Sequence, residues 1–111
     1  MSKLKETLKP QQIVPSEYKA VYFGGGGAAM FGVPESKEIQ KIAMAIYEGN
    51  GGVVSAICHG SAGLANLKTK DGEPLVRGKN VCGFPDLFER KEDAYYATFP
   101  FSIEQKLKDN G

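Results

Sequence analysis

The residues of this sequence that are best suited to chemistry are Cys58 and its neighbour His59, the single histidine of the chain. They follow the apolar run "VVSAI", whose β-branched residues predict a short strand buried on both faces, as in a parallel sheet. A cysteine thiolate is a strong nucleophile, and an imidazole within hydrogen-bond reach can take up the thiol proton. The pair therefore indicates a nucleophilic thiol with its own base, provided that the backbone brings the two side chains together.

The segments around Cys58 favour that geometry. A strand over 53–57 followed by the small residues of "HGSAGLANL" predicts a strand, a tight turn and the start of a helix, the setting of a nucleophile elbow. Ala56 and Gly60 lie two residues before and after the cysteine, which leaves room for the turn. A helix that begins here directs its free N–H groups towards the sulfur and favours the thiolate. The backbone N–H of His59 is then placed to contribute to an oxyanion site.

The alternative is that Cys58 is a core cysteine and His59 a capping or solvent-facing residue. Free cysteines are commonly buried and inert, and "ICHG" alone favours this alternative. Neighbours in a strand point to opposite faces, so only a sharp turn can swing the imidazole back beside the sulfur. Cys82, in the expected short strand "NVCGF", is interpreted as structural.

The rest of the chain predicts an α/β sheet with right-handed crossovers. A strand over 20–23 precedes "GGGG", and apolar residues at three- and four-residue spacing predict a helix with Ser36 as its N-cap, ended by the glycines of "EGNGG". The other expected elements are a short amphipathic helix in "SKLKETLK", two strands around Gly78 in "PLVRGKNVCGF", and helices in "PDLFERKEDAYYA" and "SIEQKLKDNG".

Composition excludes several classes of protein. The net charge of +1 comes without a basic stripe, so we expect no nucleic-acid partner. The N-terminus "MSKLKETLKP" is polar and no apolar run approaches the roughly 20 residues of a spanning helix, so we expect neither a signal peptide nor a membrane segment. Two cysteines and one histidine fit no zinc spacing, and so few cysteines indicate a reducing, cytoplasmic setting, although one disulfide is possible.

The glycine loop, the elbow and the segments after it together resemble the ThiJ/PfpI superfamily, and most closely its glyoxalase III branch of heat-shock-protein-31-like proteins. The segments that carry the resemblance are "FGGGGAAMFGVPES", "AICHGSAGLANLKTKDGEPLVRGKNVCGF" and "FPDLFER". "CHG" alone is weak support for the resemblance, whereas the occurrence of all these segments in this order is strong support. The resemblance implies a flavodoxin-like three-layer α/β/α sandwich with a mainly parallel sheet. It also implies a small 2-oxoaldehyde substrate and no need for glutathione, a metal or a cofactor.

The resemblance further implies a triad of cysteine, histidine and acid. Cys58 and His59 fall on the first two positions, and the acid falls on Glu89, with Asp86 as the alternative. The competing interpretation of Glu89 is an ordinary solvated residue on a helix.

The glycine loop is implied to offer a second backbone donor to the oxyanion, and Gly25 and Gly26 are the candidates. Such a donor can supply about 3 kcal/mol of transition-state stabilisation. Members of the family often have "GGHG" where this chain has "GGGG", so the histidine expected at Gly26 is missing.

The family domain is longer, and the resemblance leads us to expect that residues 1–111 are a single partial domain without its N-terminal and C-terminal strands. One of those N-terminal strands carries a glutamate that contacts the nucleophile, and neither Glu6 nor Glu17 lies in a context to replace it. The two predicted strands alone would expose edges and apolar faces. We therefore expect further chain or a second copy, as in a homodimer, to cover them, and we expect residues 1–111 alone to be a poor catalyst.

Three functions follow from the resemblance. The first is a glutathione-independent glyoxalase of the D-lactate dehydratase type, which converts methylglyoxal to D-lactate. The second is a cysteine-dependent amidase or peptidase built on the same elbow. The third is a non-enzymatic stress chaperone or redox sensor, because an exposed thiolate is readily oxidised.

Overall fold

The computed structural model describes residues 2–111 and shows an α/β fold. Its sheet has two parallel strands, β1 (Ala20–Phe23) and β2 (Val53–Ala56). Helix α1 (Lys37–Met44) lies between them in the chain and continues into a π-helical turn, Ala45–Gly49. Helix α2 (Ile103–Asp109) follows near the end of the described chain. The remaining helical segments are short 3-10 turns: Ser2–Lys5, Pro10–Gln12, Pro15–Glu17, Gly27–Met30, Cys58–Leu64, Asp86–Phe88 and Tyr96–Thr98.

Serine N-caps begin both α-helices. The Ser36 hydroxyl accepts a hydrogen bond from the backbone N–H of Ile39 at 3.3 Å, which confirms the predicted start of α1. The Ser102 hydroxyl accepts from the N–H of Gln105 at 3.0 Å at the start of α2. Both strands and both of these helices lie where the sequence predicts them.

One face of the sheet packs against the core and the other is exposed. Val21 and Phe23 of β1 lie on the packed face with Val54 of β2, against α1 and the segment after the elbow. On the opposite face Tyr22 is 62% exposed and Val53 is 58% exposed. The prediction that β2 is buried on both faces is therefore wrong for residues 2–111, because the connection through α1 covers one face only.

The 3-10 segment Cys58–Leu64 lies between two apolar clusters, and Leu64 packs against both. The buried members of the first cluster are Phe23, Ala43, Leu67 and Leu75. The buried members of the second are Met30, Ala62, Val76, Ile103 and Leu107. Because it is held on two sides, this segment provides a rigid base for the residues at its start.

The predicted helix in "SKLKETLK" is wrong, because only Ser2–Lys5 forms a single 3-10 turn. Leu4 is 74% exposed and Leu8 is 58% exposed, so the apolar stripe has no surface to pack against. A two-turn helix without tertiary contacts is not stable in water. No helix in residues 2–111 has the length and apolar character needed to cross a bilayer.

The predicted strands around Gly78 and the predicted helix in "PDLFERKEDAYYA" are also wrong. The first region consists of turns with one isolated bridge between Lys68 and Pro74, and the Gly78 N–H donates to the carbonyl of Gly111 at 2.8 Å rather than to a strand. The second forms only the turns Asp86–Phe88 and Tyr96–Thr98. Leu87 is 85% exposed, so the apolar residues of this segment do not form a buried helix face. The backbone path of this segment is instead set by contacts with side chains from other parts of the chain.

Candidate active site

Cys58 occupies a sharp turn at the end of β2. Ile57 is still extended and its N–H donates to the Phe23 carbonyl at 3.1 Å, whereas Cys58 has a φ of 53°. It is the one non-glycine residue among residues 2–111 with a positive φ. A left-handed conformation is costly for a residue with a Cβ and persists only when the surroundings impose it. The turn leaves the Cys58 side chain exposed, as the elbow prediction requires.

Two glycines allow the segment after the turn to press against β1. A Cβ on Gly60 would lie 2.3 Å from the Phe23 carbonyl oxygen. A Cβ on Gly63 would lie 2.5 Å from the Phe23 ring. Real Cβ atoms do not approach so closely, so both positions need glycine if the elbow is to keep this packing. The sequence pattern indicates this requirement at Gly60.

Cys58, His59 and Glu89 form a continuous hydrogen-bonded series. The Cys58 Sγ lies 3.4 Å from His59 Nδ1, and His59 Nε2 lies 3.0 and 3.1 Å from the two Glu89 carboxylate oxygens. Because an ionised carboxylate only accepts hydrogen bonds, Nε2 carries the proton and Nδ1 is free to accept the proton of Cys58. The structure thus brings all three predicted residues together.

The acid and the imidazole are buried, whereas the thiol is accessible. The side chains of His59 and Glu89 are 8% and 4% exposed. Their attraction is therefore little screened by water. A buried base and its carboxylate beside an exposed sulfur suit an addition of the thiolate to an electrophile that enters from solvent.

Glu89 is extended, at the end of the turn Asp86–Phe88, and does not lie on the predicted helix. Its side chain is nearly buried, so the solvated alternative does not describe it. Asp86 instead accepts a hydrogen bond from Ser102 Oγ at 2.6 Å, and its N–H donates to Glu104 Oε2 at 2.9 Å. Asp86 therefore anchors this segment to α2, and the carboxylate beside His59 is that of Glu89.

Aromatic rings enclose the imidazole. Phe84 stacks on His59 with ring centroids 4.2 Å apart and an interplanar angle of 28°. Phe99 meets the same ring edge-on at 5.3 Å, and Tyr95 and Tyr96 pack against Phe99 at 5.4 and 5.7 Å. Sequence reasoning missed these neighbours, because Phe84 lies in a predicted strand and Tyr95 and Tyr96 lie in a predicted helix, and neither element forms. The cluster orients the ring and shields its contact with Glu89 from water.

The two predicted glycines of the loop differ in their distance from the sulfur. A Cβ on Gly25 would lie 2.9 Å from Cys58 Cβ and 3.7 Å from Cys58 Sγ. Gly26 has a φ of 99° and nothing within 4 Å of a Cβ position. The backbone of Gly25 thus packs against the elbow, whereas Gly26 lies at the turn that leads into Gly27–Met30.

Cys82 is exposed and lies in no strand, so its predicted structural role is wrong. The segment "NVCGF" finds no partner strand within the described chain. Cys82 instead lines an open groove of about 590 Å³ together with Val81, Leu107 and Lys108. No three His, Cys, Asp or Glu side chains in the described part of the chain are grouped to hold a metal ion.

The fold and the site define an α/β protein with a cysteine at a strand–turn elbow and a buried histidine–carboxylate pair behind it. The chain is 42% identical over 87 residues to glyoxalase 3 of Candida albicans and 41% identical over 83 residues to the glutathione-independent glyoxalase HSP31 of Saccharomyces cerevisiae. These matches cover 78% and 72% of this chain. No family model matches the chain.

The fold is similar to that of the Rapid Encystment Protein of 24 kDa from Francisella tularensis, with a TM-score of 0.86 and 34% identity over the whole chain. The matched region is 50% of that structure. The chain spans only 36% and 34% of the two curated relatives. These similarities support the ThiJ/PfpI-like α/β fold that the sequence segments imply.

Proposed function

We propose that this chain is the central part of a glyoxalase III-type enzyme of the ThiJ/PfpI superfamily, which converts methylglyoxal to D-lactate without glutathione. The observation that carries the proposal is the series of contacts from Cys58 through His59 to Glu89. The identity to two glyoxalases supports the proposed substrate class, a small 2-oxoaldehyde.

The reaction begins at the sulfur. His59 Nδ1 takes the proton of the thiol, which lies 3.4 Å away, while Nε2 keeps its own proton and donates it in a hydrogen bond to Glu89. The buried carboxylate stabilises the imidazolium that this transfer creates. The thiolate adds to the aldehyde carbon, because an aldehyde is a stronger electrophile than a ketone. The imidazolium then returns the proton to the new alkoxide oxygen, which completes the hemithioacetal and frees Nδ1 to act as a base again.

The remaining steps move one proton between neighbouring carbons. His59 removes the proton from the hemithioacetal carbon to give an enediol and returns a proton to the former ketone carbon, which leaves a thioester on Cys58. Water then hydrolyses the thioester and releases lactate and the free thiol. The aldehyde carbon is oxidised by two electrons and the ketone carbon is reduced by two, so methylglyoxal and water balance lactate with no outside oxidant or reductant.

The oxygen that becomes negative when the thiolate adds needs hydrogen-bond donors. We assign this role to the backbone N–H groups of His59 and of the glycine loop. The close approach of Gly25 to Cys58 makes it the stronger candidate in the loop, with Gly26 beside it. Preorganised donors of this kind typically contribute about 3 kcal/mol each to catalysis.

The assembled protein is proposed to be a cytoplasmic homodimer. The exposed side chains of Tyr22 and Val53 on one sheet face support a covering surface, and two unpaired cysteines support a reducing compartment. The oligomeric state can be read from light scattering at several concentrations. A monomer of unchanged mass at every concentration contradicts the dimer.

The test uses the two exposed cysteines as a matched pair. Because residues 1–111 alone are expected to be a poor catalyst, D-lactate is measured from methylglyoxal without glutathione for the assembled protein, as wild type, Cys58→Ala and Cys82→Ala. We expect Cys58→Ala to abolish turnover and Cys82→Ala to retain it. Equal rates for wild type and Cys58→Ala overturn the proposal. Release of amine from amide substrates, with an acyl group trapped on Cys58 and no lactate, would indicate the amidase alternative instead.

A further inference from the structure

The two halves of the candidate site come from segments that share no regular secondary structure. Cys58 and His59 lie at the elbow, whereas Glu89 lies in a loop that follows thirty residues later. That loop has only the single 3-10 turn Asp86–Phe88, so side-chain contacts must set its position. Besides His59 itself, Ser61 joins this loop directly to the elbow.

Ser61 is 3% exposed, and its hydroxyl makes two hydrogen bonds. It donates to the carbonyl of Cys58 at 2.7 Å and accepts from the backbone N–H of Phe84 at 3.1 Å. The first bond fixes the residue whose φ is 53°. The second fixes the start of the loop that carries Glu89. A hydroxyl is well suited to both tasks, because it donates and accepts at one atom.

The bond to Phe84 also reaches the imidazole. The Phe84 ring stacks on His59 at 4.2 Å, and Glu89 lies five residues further along the same loop. A loop that shifts at Phe84 therefore displaces both the ring that orients His59 and the carboxylate that holds its Nε2 proton. Asp86, bound to Ser102, anchors the middle of the loop but has no bond to the elbow.

We propose that Ser61 is a positioning residue for the Cys58–His59–Glu89 series, holding the Glu89 loop in register with the nucleophile elbow. This inference rests on the proposed glyoxalase function for its activity assay. It acts through the positions of Phe84 and Glu89 beside His59 and not through contact with substrate. Its loss should therefore lower kcat and leave KM nearly unchanged.

The control is Ser55, which lies on β2 six residues earlier. Its hydroxyl donates to the Val21 carbonyl at 3.2 Å, within the sheet and away from the loop. Ser55→Ala removes a partly buried hydroxyl of the same kind without touching the link to Phe84. Comparing the two alanine variants separates the general effect of losing a hydrogen bond from the specific effect of displacing the Glu89 loop relative to the elbow.

The activity arm measures kcat and KM with methylglyoxal for wild type, Ser61→Ala, Ser55→Ala, Glu89→Gln and the double variant Ser61→Ala/Glu89→Gln. We expect Ser61→Ala to lower kcat about 10- to 100-fold, as misplacement of reacting groups does, with KM within about threefold. Ser55→Ala should stay within about threefold of wild type. The double variant should lose less activity than the product of the two single losses, because Ser61 and Glu89 both act on the position of His59. Losses that multiply in the double variant overturn the inference.

A second arm does not depend on the substrate. In a Cys82→Ser background, the alkylation rate of Cys58 by iodoacetamide at neutral pH reports whether His59 still activates the thiol. We expect Ser61→Ala and Glu89→Gln to slow alkylation to a similar extent and Ser55→Ala to leave it unchanged. If Ser61→Ala does not fold, Ser61→Thr, which keeps the hydroxyl, should alkylate near the wild-type rate.

The two arms distinguish two failures. An assembled wild-type protein that makes no lactate refutes the proposed function, and the alkylation rates then decide the role of Ser61 alone. Wild-type alkylation in Ser61→Ala, or equal slowing in Ser55→Ala, refutes the positioning role. A folded Ser61→Thr that alkylates at the rate of Glu89→Gln refutes it as well.

Discussion

The Glu89 carboxylate meets His59 with both oxygens, at 3.0 and 3.1 Å from Nε2, although thirty residues separate the two in the chain. This contact fixes which ring nitrogen carries the proton, and it turns Nδ1 towards the Cys58 sulfur. A cysteine beside a histidine in sequence is therefore not sufficient for activation of the thiol. The third residue, from a different part of the fold, completes the arrangement.

Replacing Glu89 by glutamine tests the charge at this position. Glu89→Gln keeps the size of the side chain but removes the negative charge that stabilises an imidazolium. We expect kcat for D-lactate formation to fall about 100-fold or more, with KM changed little, because the side chain lies behind the imidazole. Glu92→Gln, at an exposed position three residues later, is the matched control. Equal rates in the two variants would remove Glu89 from the mechanism.

Several elements could be predicted from sequence because the signals are local. Ser36 precedes a regular apolar repeat, and its side chain caps α1 as predicted. The β-branched run after "EGNGG" forms β2, and the small residues Ala56 and Gly60 flank the cramped turn at Cys58. Each of these depends on residues within one turn or one strand.

The rest of the site depends on contacts between distant segments. Ser61 bonds to Phe84 across 23 residues, and no spacing rule in the sequence indicates that pair. The resemblance predicts Glu89 as the acid, yet the helix expected around it is absent, because Leu87 and Phe88 remain exposed and give a helix no packed face. Helical propensity alone does not stabilise such a short segment.

The space between the glycine loop and the elbow leads to a second prediction. A methyl group at position 25 would lie 2.9 Å from Cys58 Cβ and 3.0 Å from the Ile57 carbonyl, so the loop or the elbow must move. We expect Gly25→Ala to lower kcat and the alkylation rate of Cys58 by about tenfold or more. Gly24→Ala, where a Cβ meets nothing within 4 Å, should stay near wild type. A fully active Gly25→Ala protein would show that the loop is not held against Cys58.

The glycines after the elbow should control stability. Gly60→Ala and Gly63→Ala each force a Cβ against Phe23, at 2.3 Å from its carbonyl and 2.5 Å from its ring. We expect each to lower the free energy of unfolding by about 1–3 kcal/mol or more, measured by urea denaturation. Gly49→Ala is the opposite case, because it lies in a helical turn with open space around a Cβ.

We expect Gly49→Ala to raise stability by about 0.5–1 kcal/mol, since alanine loses less backbone entropy on folding. If Gly60→Ala were as stable as wild type, β1 and the elbow segment would not be in the close contact described. The comparison within one residue type removes the general effect of exchanging glycine for alanine.

An exposed ion pair on α2 predicts how stability depends on pH. Lys108 Nζ lies 2.5 Å from Glu104 Oε1, and this hydrogen bond is the main reason that the pKa of Glu104 lies below its ordinary value of 4.5. The N–H of Asp86 lowers the pKa of Glu104 further. The same hydrogen bond, donated to Glu104, raises the pKa of Lys108 above 10.5. Both groups are solvated, so the effect on stability is small.

The directions of these shifts set two pH windows. Because the pKa of Glu104 is lower in the folded state, its contribution is complete above the unfolded pKa and is lost as pH falls through the folded pKa. Because the pKa of Lys108 is higher in the folded state, its contribution is complete below the unfolded pKa and is lost as pH rises through the folded pKa. Urea unfolding between about pH 3 and pH 7 should therefore show a smaller acid loss of stability in Glu104→Gln than in wild type.

Lys108→Met supplies the control, since it removes the first cause of the Glu104 shift and leaves the hydrogen bond to Asp86 in place. We expect the loss of unfolding free energy at acid pH in Lys108→Met to be smaller than in wild type and larger than in Glu104→Gln. Added salt should reduce the differences among the three proteins. An unchanged slope in Glu104→Gln would mean that the pair does not contribute to folding. Because Glu104 also accepts the Asp86 N–H, Glu104→Ala, which leaves no acceptor, should loosen the segment that carries Glu89 and slow the alkylation of Cys58.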